Sequence, residues 1–263
     1  AVLLFSSCLG DSDYTPSYGG LGTPLGDMSS SVMLDDGVTV TLSGISATEL
    51  MNIDRIFVYG QVTSEYKDVE QVQKGDKIAI VPQYALVLDE VEELQGENPF
   101  ENVELSDIDE LSWFTVLGGI FNASNGYMNF TIVGDCYTKT STSSGSTTET
   151  MESPYYYLHV SRVDTDAKIV DLELGYDNRA SECTDTEGKL KDGYMLRQNT
   201  SFPIYFDTTS LYSQLDGLDD EDTITFNIYK VEEEDNGSIE REQVNLSYTS
   251  IQKGALKRTV RTY

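Results

Sequence analysis

Apart from carboxylates, the chain offers few side chains able to do chemistry. It holds one histidine, His159, and three cysteines, Cys8, Cys136 and Cys183, against 45 acidic residues. A zinc centre built from several histidines is therefore excluded. A Ser-His-Asp triad would have to use His159, and no Gly-x-Ser-x-Gly elbow accompanies it. His159 falls inside a strand pattern and reads as a satisfied strand residue. No phosphate-binding loop or dinucleotide fingerprint occurs. Carboxylate pairs recur at Asp107 and Asp109, at Asp164 and Asp166, and at Asp219, Asp220 and Asp222. Glycoside hydrolysis needs two carboxyls about 5–10 Å apart, but such pairs arise by chance in so acidic a chain. The loop Gly217 to Asp222 concentrates the oxygen ligands that calcium takes without the EF-hand spacing. Asp219, Asp220 and Asp222 are its candidate metal ligands, weighed against a solvated loop. The expectation is a non-enzymatic protein with no cofactor.

Three aromatics, Phe57, Tyr59 and Tyr84, fall on adjacent strand patterns. They either fill a small barrel or form an outward stacking platform for a ligand. Cys136 and Cys183 either pair as a disulfide or sit singly as small buried apolar residues. Asp207-Thr208-Thr209 and Asp222-Thr223-Ile224 resemble a short O-glycosylation acceptor. Lys253, Lys257, Arg258 and Arg261 make a basic tail that folds back on the body or reaches an acidic partner.

The formal charge of −28 excludes whole classes of partner. Nucleic-acid binding needs basic side chains that displace counterions from phosphate. Anionic lipid surfaces are disfavoured for the same reason. Cations, basic partners and neutral glycans remain compatible, and the charge also keeps an exposed protein soluble.

The sequence opens Ala1-Val2-Leu3-Leu4-Phe5-Ser6-Ser7-Cys8. An apolar run, two small polar residues and a cysteine resemble the end of a signal peptide with a bacterial lipobox, Phe5 standing where leucine is usual. That resemblance implies lipidation of Cys8 and a membrane partner reached only through the lipid. Residues 9–31 are rich in Gly, Ser, Pro and Asp and read as a flexible linker. No segment approaches the roughly 20 apolar residues of a membrane helix.

The elements that must position these residues are strands. Residues 38–42 alternate with period two, 55–62 form a second strand, and 77–82 a third that resumes at 84–88 after Pro82. Short connections size this group, 32–105, for an OB-like β-barrel. Residues 89–111 read as an acidic, solvated boundary with one helical turn. Within 106–263, strands are predicted at 127–133, 155–160, 168–174, 202–206, 223–229 and 243–248. Asp164-Thr165-Asp166 turns between the second and third, and Asp235-Asn236-Gly237 supplies favoured hairpin chemistry between the last two. Residues 140–150 read as a mobile Ser/Thr/Gly loop. The fold class is all-β, a small OB-like barrel followed by a β-sandwich.

In their order and spacing, Asp54 to Val62 with Asp76 to Val81, Asn125 to Ile132, Tyr155 to His159, and Ile204 to Leu211 with Asp222 to Tyr229 resemble the NigD-like lipoproteins of anaerobic Gram-negative bacteria. The resemblance implies an N-terminal OB-type domain and a C-terminal β-sandwich, with no catalytic residues to carry over. The expected protein is a monomeric outer-membrane lipoprotein, periplasmic or surface-exposed, binding a glycan, peptide or protein partner. The alternative is a fimbrial or adhesin subunit, which predicts proteolytic loss of an N-terminal strand.

Overall fold

A computed structural model describes residues 15–26, 28–63, 69–143, 146–234 and 236–258. Cys8 and Arg261 lie outside the described residues. The chain divides into two compact units, one of residues up to Asp89 with Val116–Phe121, the other of Glu90–Thr115 with the residues from Asn122 onward. The division falls at 89/90, not at the expected 105/106.

The first unit is a closed five-stranded barrel. Its strands are β1 (Ser17–Pro24), β2 (Ser31–Leu34), β3 (Thr39–Leu42), β4 (Ile56–Val62) and β5 (Lys77–Val87). Around the barrel they run β1-β2-β3-β5-β4 and back to β1, with β3 and β5 parallel and the other pairs antiparallel. A closed five-stranded barrel agrees with the OB-like barrel that the sequence predicts. Alternation fills the interior with Val32, Leu34, Val40, Leu42, Ile56, Val58, Ile78 and Ile80. Pro82 does not end its strand: the register skips one residue opposite Tyr59 and Gly60, and the strand continues as a bulge.

One expectation fails here. Residues 17–24 are not linker but β1, which closes the barrel against β2 and β4. The glycines that read as flexibility serve close approach. A side chain on Gly19 would meet the Val58 carbonyl oxygen at 2.0 Å, so only glycine lets β1 lie there.

The second unit is a two-sheet sandwich. In chain order the remaining strands are β6 (Asp89–Glu90), β7 (Glu92–Glu93), β8 (Glu110–Val116), β9 (Gly119–Phe121), β10 (Ala123–Ser124), β11 (Tyr127–Ser143), β12 (Ser146–Met151), β13 (Tyr155–Asp164), β14 (Ile169–Asp177), β15 (Tyr194–Asp207), β16 (Thr223–Glu233), β17 (Ile239–Val244) and β18 (Ser250–Gln252), of which β9 falls in the first unit. One sheet runs β6-β15-β11-β8, with β10 and β12 also on β11; the other runs β17-β16-β14-β13-β7, with β18 on β16. Short helices α1 (Ala180–Cys183) and α2 (Thr209–Gln214) connect strands. Between the sheets, Trp113 stacks on Phe130 at 4.9 Å and donates its indole N–H to the Ser247 carbonyl at 2.7 Å. Tyr156, Tyr176 and Phe202 continue that aromatic layer.

Most predicted strands hold, usually longer than the pattern shows. The 155–160 and 168–174 pair is β13 with β14, antiparallel as expected. The hairpin at Gly237 joins β16 to β17. The 140–150 segment is not a simple loop: β11 and β12 pair from Thr138 with Met151 to Ser143 with Ser146. Residues 89–111 hold no helix but two short strands and a turn at Asn98–Glu101.

Candidate functional site

The acidic boundary segment builds a surface strap with a cleft at its edge. Four apolar residues within it, Val91, Phe100, Ile108 and Leu111, are buried. Glu92 and Glu93 pair in parallel with Tyr157 and Leu158, and the Leu94 N–H donates to the Leu158 carbonyl at 2.7 Å. Residues 94–105 then cross the outer face of the second sheet. Phe100 packs there with Tyr157 and Val231, flanked by Leu94, Val103, Leu105 and Ile239. Gly175 makes the seat: a Cβ on it would lie 2.7 Å from Leu105 and 2.9 Å from Phe100.

At the edge of this strap lies a cleft of about 270 Å³. Its floor is Phe100, Val103 and Ile239; Glu101, Glu233 and Arg241 supply charge. Arg241 is held from behind, its Nε donating to Glu173 Oε1 at 2.9 Å. Glu173 is only 7% exposed, and its other oxygen has no hydrogen-bond partner. Glu233 is shared with a second, acid-lined cleft of about 420 Å³ that includes Asp107, Glu232, Glu234 and Glu240. Together they form an apolar slot continuing into a carboxylate-lined trough around the β16–β17 hairpin. Neither Phe100 nor Arg241 stands out in the sequence. The available signal is a lone aromatic inside an acidic stretch, Pro99-Phe100-Glu101, which solvation alone does not require.

The residues singled out from sequence are placed as follows. Phe57 points out of the barrel but is 2% exposed, covered edge-on by Phe121 at 5.5 Å. The three-ring platform is therefore incorrect. Tyr59 and Tyr84 remain as a cross-strand pair, 6.5 Å apart, with Tyr84 48% exposed.

Asp219, Asp220 and Asp222 do not converge on a common point. Asp222 takes Lys168 at 2.6 Å and the Asp219 N–H at 2.8 Å. Asp220 accepts from the Tyr212 hydroxyl at 2.7 Å and from Lys257 at 3.1 Å. These donors hold both carboxyls below the usual range. Among the described residues no three His, Cys, Asp or Glu side chains are grouped to hold a metal.

Cys136 and Cys183 are buried and unpaired, so the disulfide reading is incorrect. Each fills space in its own surroundings, which an apolar thiol does well. His159 Nδ1 lies 3.0 Å from the Leu94 carbonyl. A carbonyl only accepts, so Nδ1 carries the proton. Thr208 is fully buried and donates to the Leu256 carbonyl at 2.8 Å, which removes it as a glycan acceptor. The basic tail folds back: Lys253 reaches the Leu218 carbonyl at 2.7 Å, Lys257 reaches Asp220, and Arg258 reaches Asp207 at 2.8 Å.

No protein-family model matches the chain, and no curated protein matches it. Solved structures do. One, from Bacteroides fragilis NCTC 9343, is described as a putative lipoprotein; it is 12% identical, with 88% of this chain and 98% of that chain covered at a TM-score of 0.52. The two share a fold. A NigD-like immunity protein from Bacteroides caccae ATCC 43185 is similar at 12% identity and a TM-score of 0.42, with 88% of this chain and 94% of that chain covered. An uncharacterized protein from Parabacteroides merdae ATCC 43184 gives 12% identity and 0.47, with 90% and 98% covered. The similarity to the first extends over both the barrel and the sandwich.

Proposed function

We propose that the protein is a non-enzymatic envelope lipoprotein, lipidated at Cys8, that binds a basic peptide segment of an extracellular or periplasmic partner in the cleft between residues 98–103 and 233–241. The carrying observation is the pairing of an apolar floor, Phe100, Val103 and Ile239, with Glu101 and Glu233 above it. An apolar slot anchors a side chain, and carboxylates around it select positive neighbours. The charge of −28 steers such a partner from a distance. The envelope placement is supported by the Cys8 motif and by the fold shared with the Bacteroides fragilis protein described as a putative lipoprotein.

The adhesin alternative is less well supported. It requires loss of an N-terminal strand, and β1 closes the barrel, so its removal would expose β2 and β4 edges.

Two measurements test the proposal. Metabolic labelling with a fatty-acid analogue should mark the wild-type protein and not Cys8→Ala; equal labelling removes the anchor. A peptide array should show salt-sensitive capture of Lys/Arg-containing peptides, lost in a Glu101→Lys, Glu233→Lys double variant. Capture that ignores charge, or survives the double variant, refutes the cleft.

A further inference from the structure

At one end of the sandwich, β11, β12 and the first half of β15 form a three-stranded arm. Thr138 on β11 faces Met151 on one side and Met195 on the other. The next residue of β11 on that face is Cys136, since alternate residues share a face. Three sulfur-bearing residues thus share one stretch of one sheet face. Two are already in contact: Cys136 Sγ is 3.8 Å from Met151 Sδ, and 3.4 Å from the Thr200 hydroxyl. Cys136 is 1% exposed, whereas Met151 is 47% and Met195 39% exposed. The thiol is deep, and the two methionines reach solvent.

We propose that Cys136, Met151 and Met195 form a binding site for a soft monovalent cation, copper(I). Thiolate and thioether sulfurs are the ligands that select this ion, and hard cations gain little from them. With metal–sulfur bonds of about 2.3 Å, two sulfurs bridged by one ion lie about 4 Å apart, close to the Cys136–Met151 separation. Met195 supplies the third ligand. Its unbranched side chain has the rotational freedom to swing over the small Thr138 toward the other two. Binding replaces the Cys136 S–H bond with an S–Cu bond and releases one proton to solvent; no electron is transferred. The ion enters past the exposed methionines, and the buried thiolate retains it. Cys183 takes no part.

The test is anaerobic titration of the whole protein with copper(I) held by a coloured chelator such as bicinchoninate. Wild-type protein should withdraw one copper per chain, with a new near-ultraviolet thiolate–copper absorption. Met151→Leu and Met195→Leu conserve volume and keep the fold. Each should weaken capture by about tenfold or more, and the pair together should abolish it. Cys183→Ser should leave capture unchanged, and zinc should not compete. Failure to withdraw copper, full capture by the double methionine variant, or loss of capture in Cys183→Ser overturns the site. Circular dichroism of each variant separates a lost ligand from a lost fold.

Discussion

Arg55 is fully buried in the barrel wall, and its guanidinium is forked onto Asp35, with Nη1 2.6 Å from Oδ1. Removing one member of a buried ion pair is costly, because water does not reach the site to replace the lost hydrogen bonds. Asp35→Ala should therefore destabilise the barrel by about 3–5 kcal/mol, read as a lower urea midpoint. Arg55 and Asp35 look ordinary in the sequence, where a lone arginine between Asp54 and Ile56 carries no sign of burial. The same blindness affects other single residues. Phe57 was legible as an outward strand residue, but not the Phe121 ring that covers it from 64 positions away in the chain. The acids at 219–222 were legible as a cluster, but not the Lys168 and Lys257 side chains that neutralise them individually.

Elements show why some of the architecture could be read and some could not. Strands with one buried face, such as 223–229, announce themselves by alternation. β1 does not, because a strand that must pass within van der Waals contact of its neighbour is built from glycines, and glycines read as tether. The strap at 94–105 was hidden likewise. Its acidity marked it as solvent-facing, while Phe100, with Leu94, Val103 and Leu105 beside it, carries it onto the sheet. Phe100→Ala should cost about 3–5 kcal/mol and release the strap, seen as early proteolytic cutting within 94–105 while the barrel stays intact. Gly175→Ala tests the seat from the other side. Its added methyl has no room at 2.7–2.9 Å from Leu105 and Phe100, so the same cutting should appear with the sheet itself still folded.

Charge and tyrosine content are properties of the whole molecule. Tyr18, Tyr157 and Tyr176 all have phenols raised by burial; nearby carboxylates, including Asp36 at Tyr18 and Asp177 at Tyr157, push them further up. Tyr157 rises from 10.0 to about 12. A raised folded-state value means that the stability is complete below the unfolded pKa of 10.0 and is lost as pH climbs through the folded value of about 12. The expected result is an alkaline titration in which most tyrosines ionise near their normal pH. Tyr157 should ionise only between about pH 10 and 12, and Tyr18 and Tyr176 at still higher pH, together with the loss of strand signal by circular dichroism. If they ionise with the rest while the fold persists, the burial is wrong. Self-repulsion from the formal charge of −28 acts on the same equilibrium. Added salt at neutral pH should raise the urea midpoint, because the screening length shrinks from about 30 Å at 0.01 M to about 3 Å at 1 M.

The parallel pairing of β14 with β16 joins Ile169–Gly175 to Thr225–Val231, while the intervening β15 lies in the opposite sheet. A polypeptide appearing from its N-terminus onward would thus expose the apolar row Val170, Leu172 and Leu174 for as long as it takes another fifty-odd residues to arrive. During that interval the half-made sandwich presents an unsatisfied strand to every other nascent copy. The vulnerable species for this protein is the unfinished one, and its yield in cells should depend more on how quickly holdase chaperones cover that row than on the stability of the finished molecule.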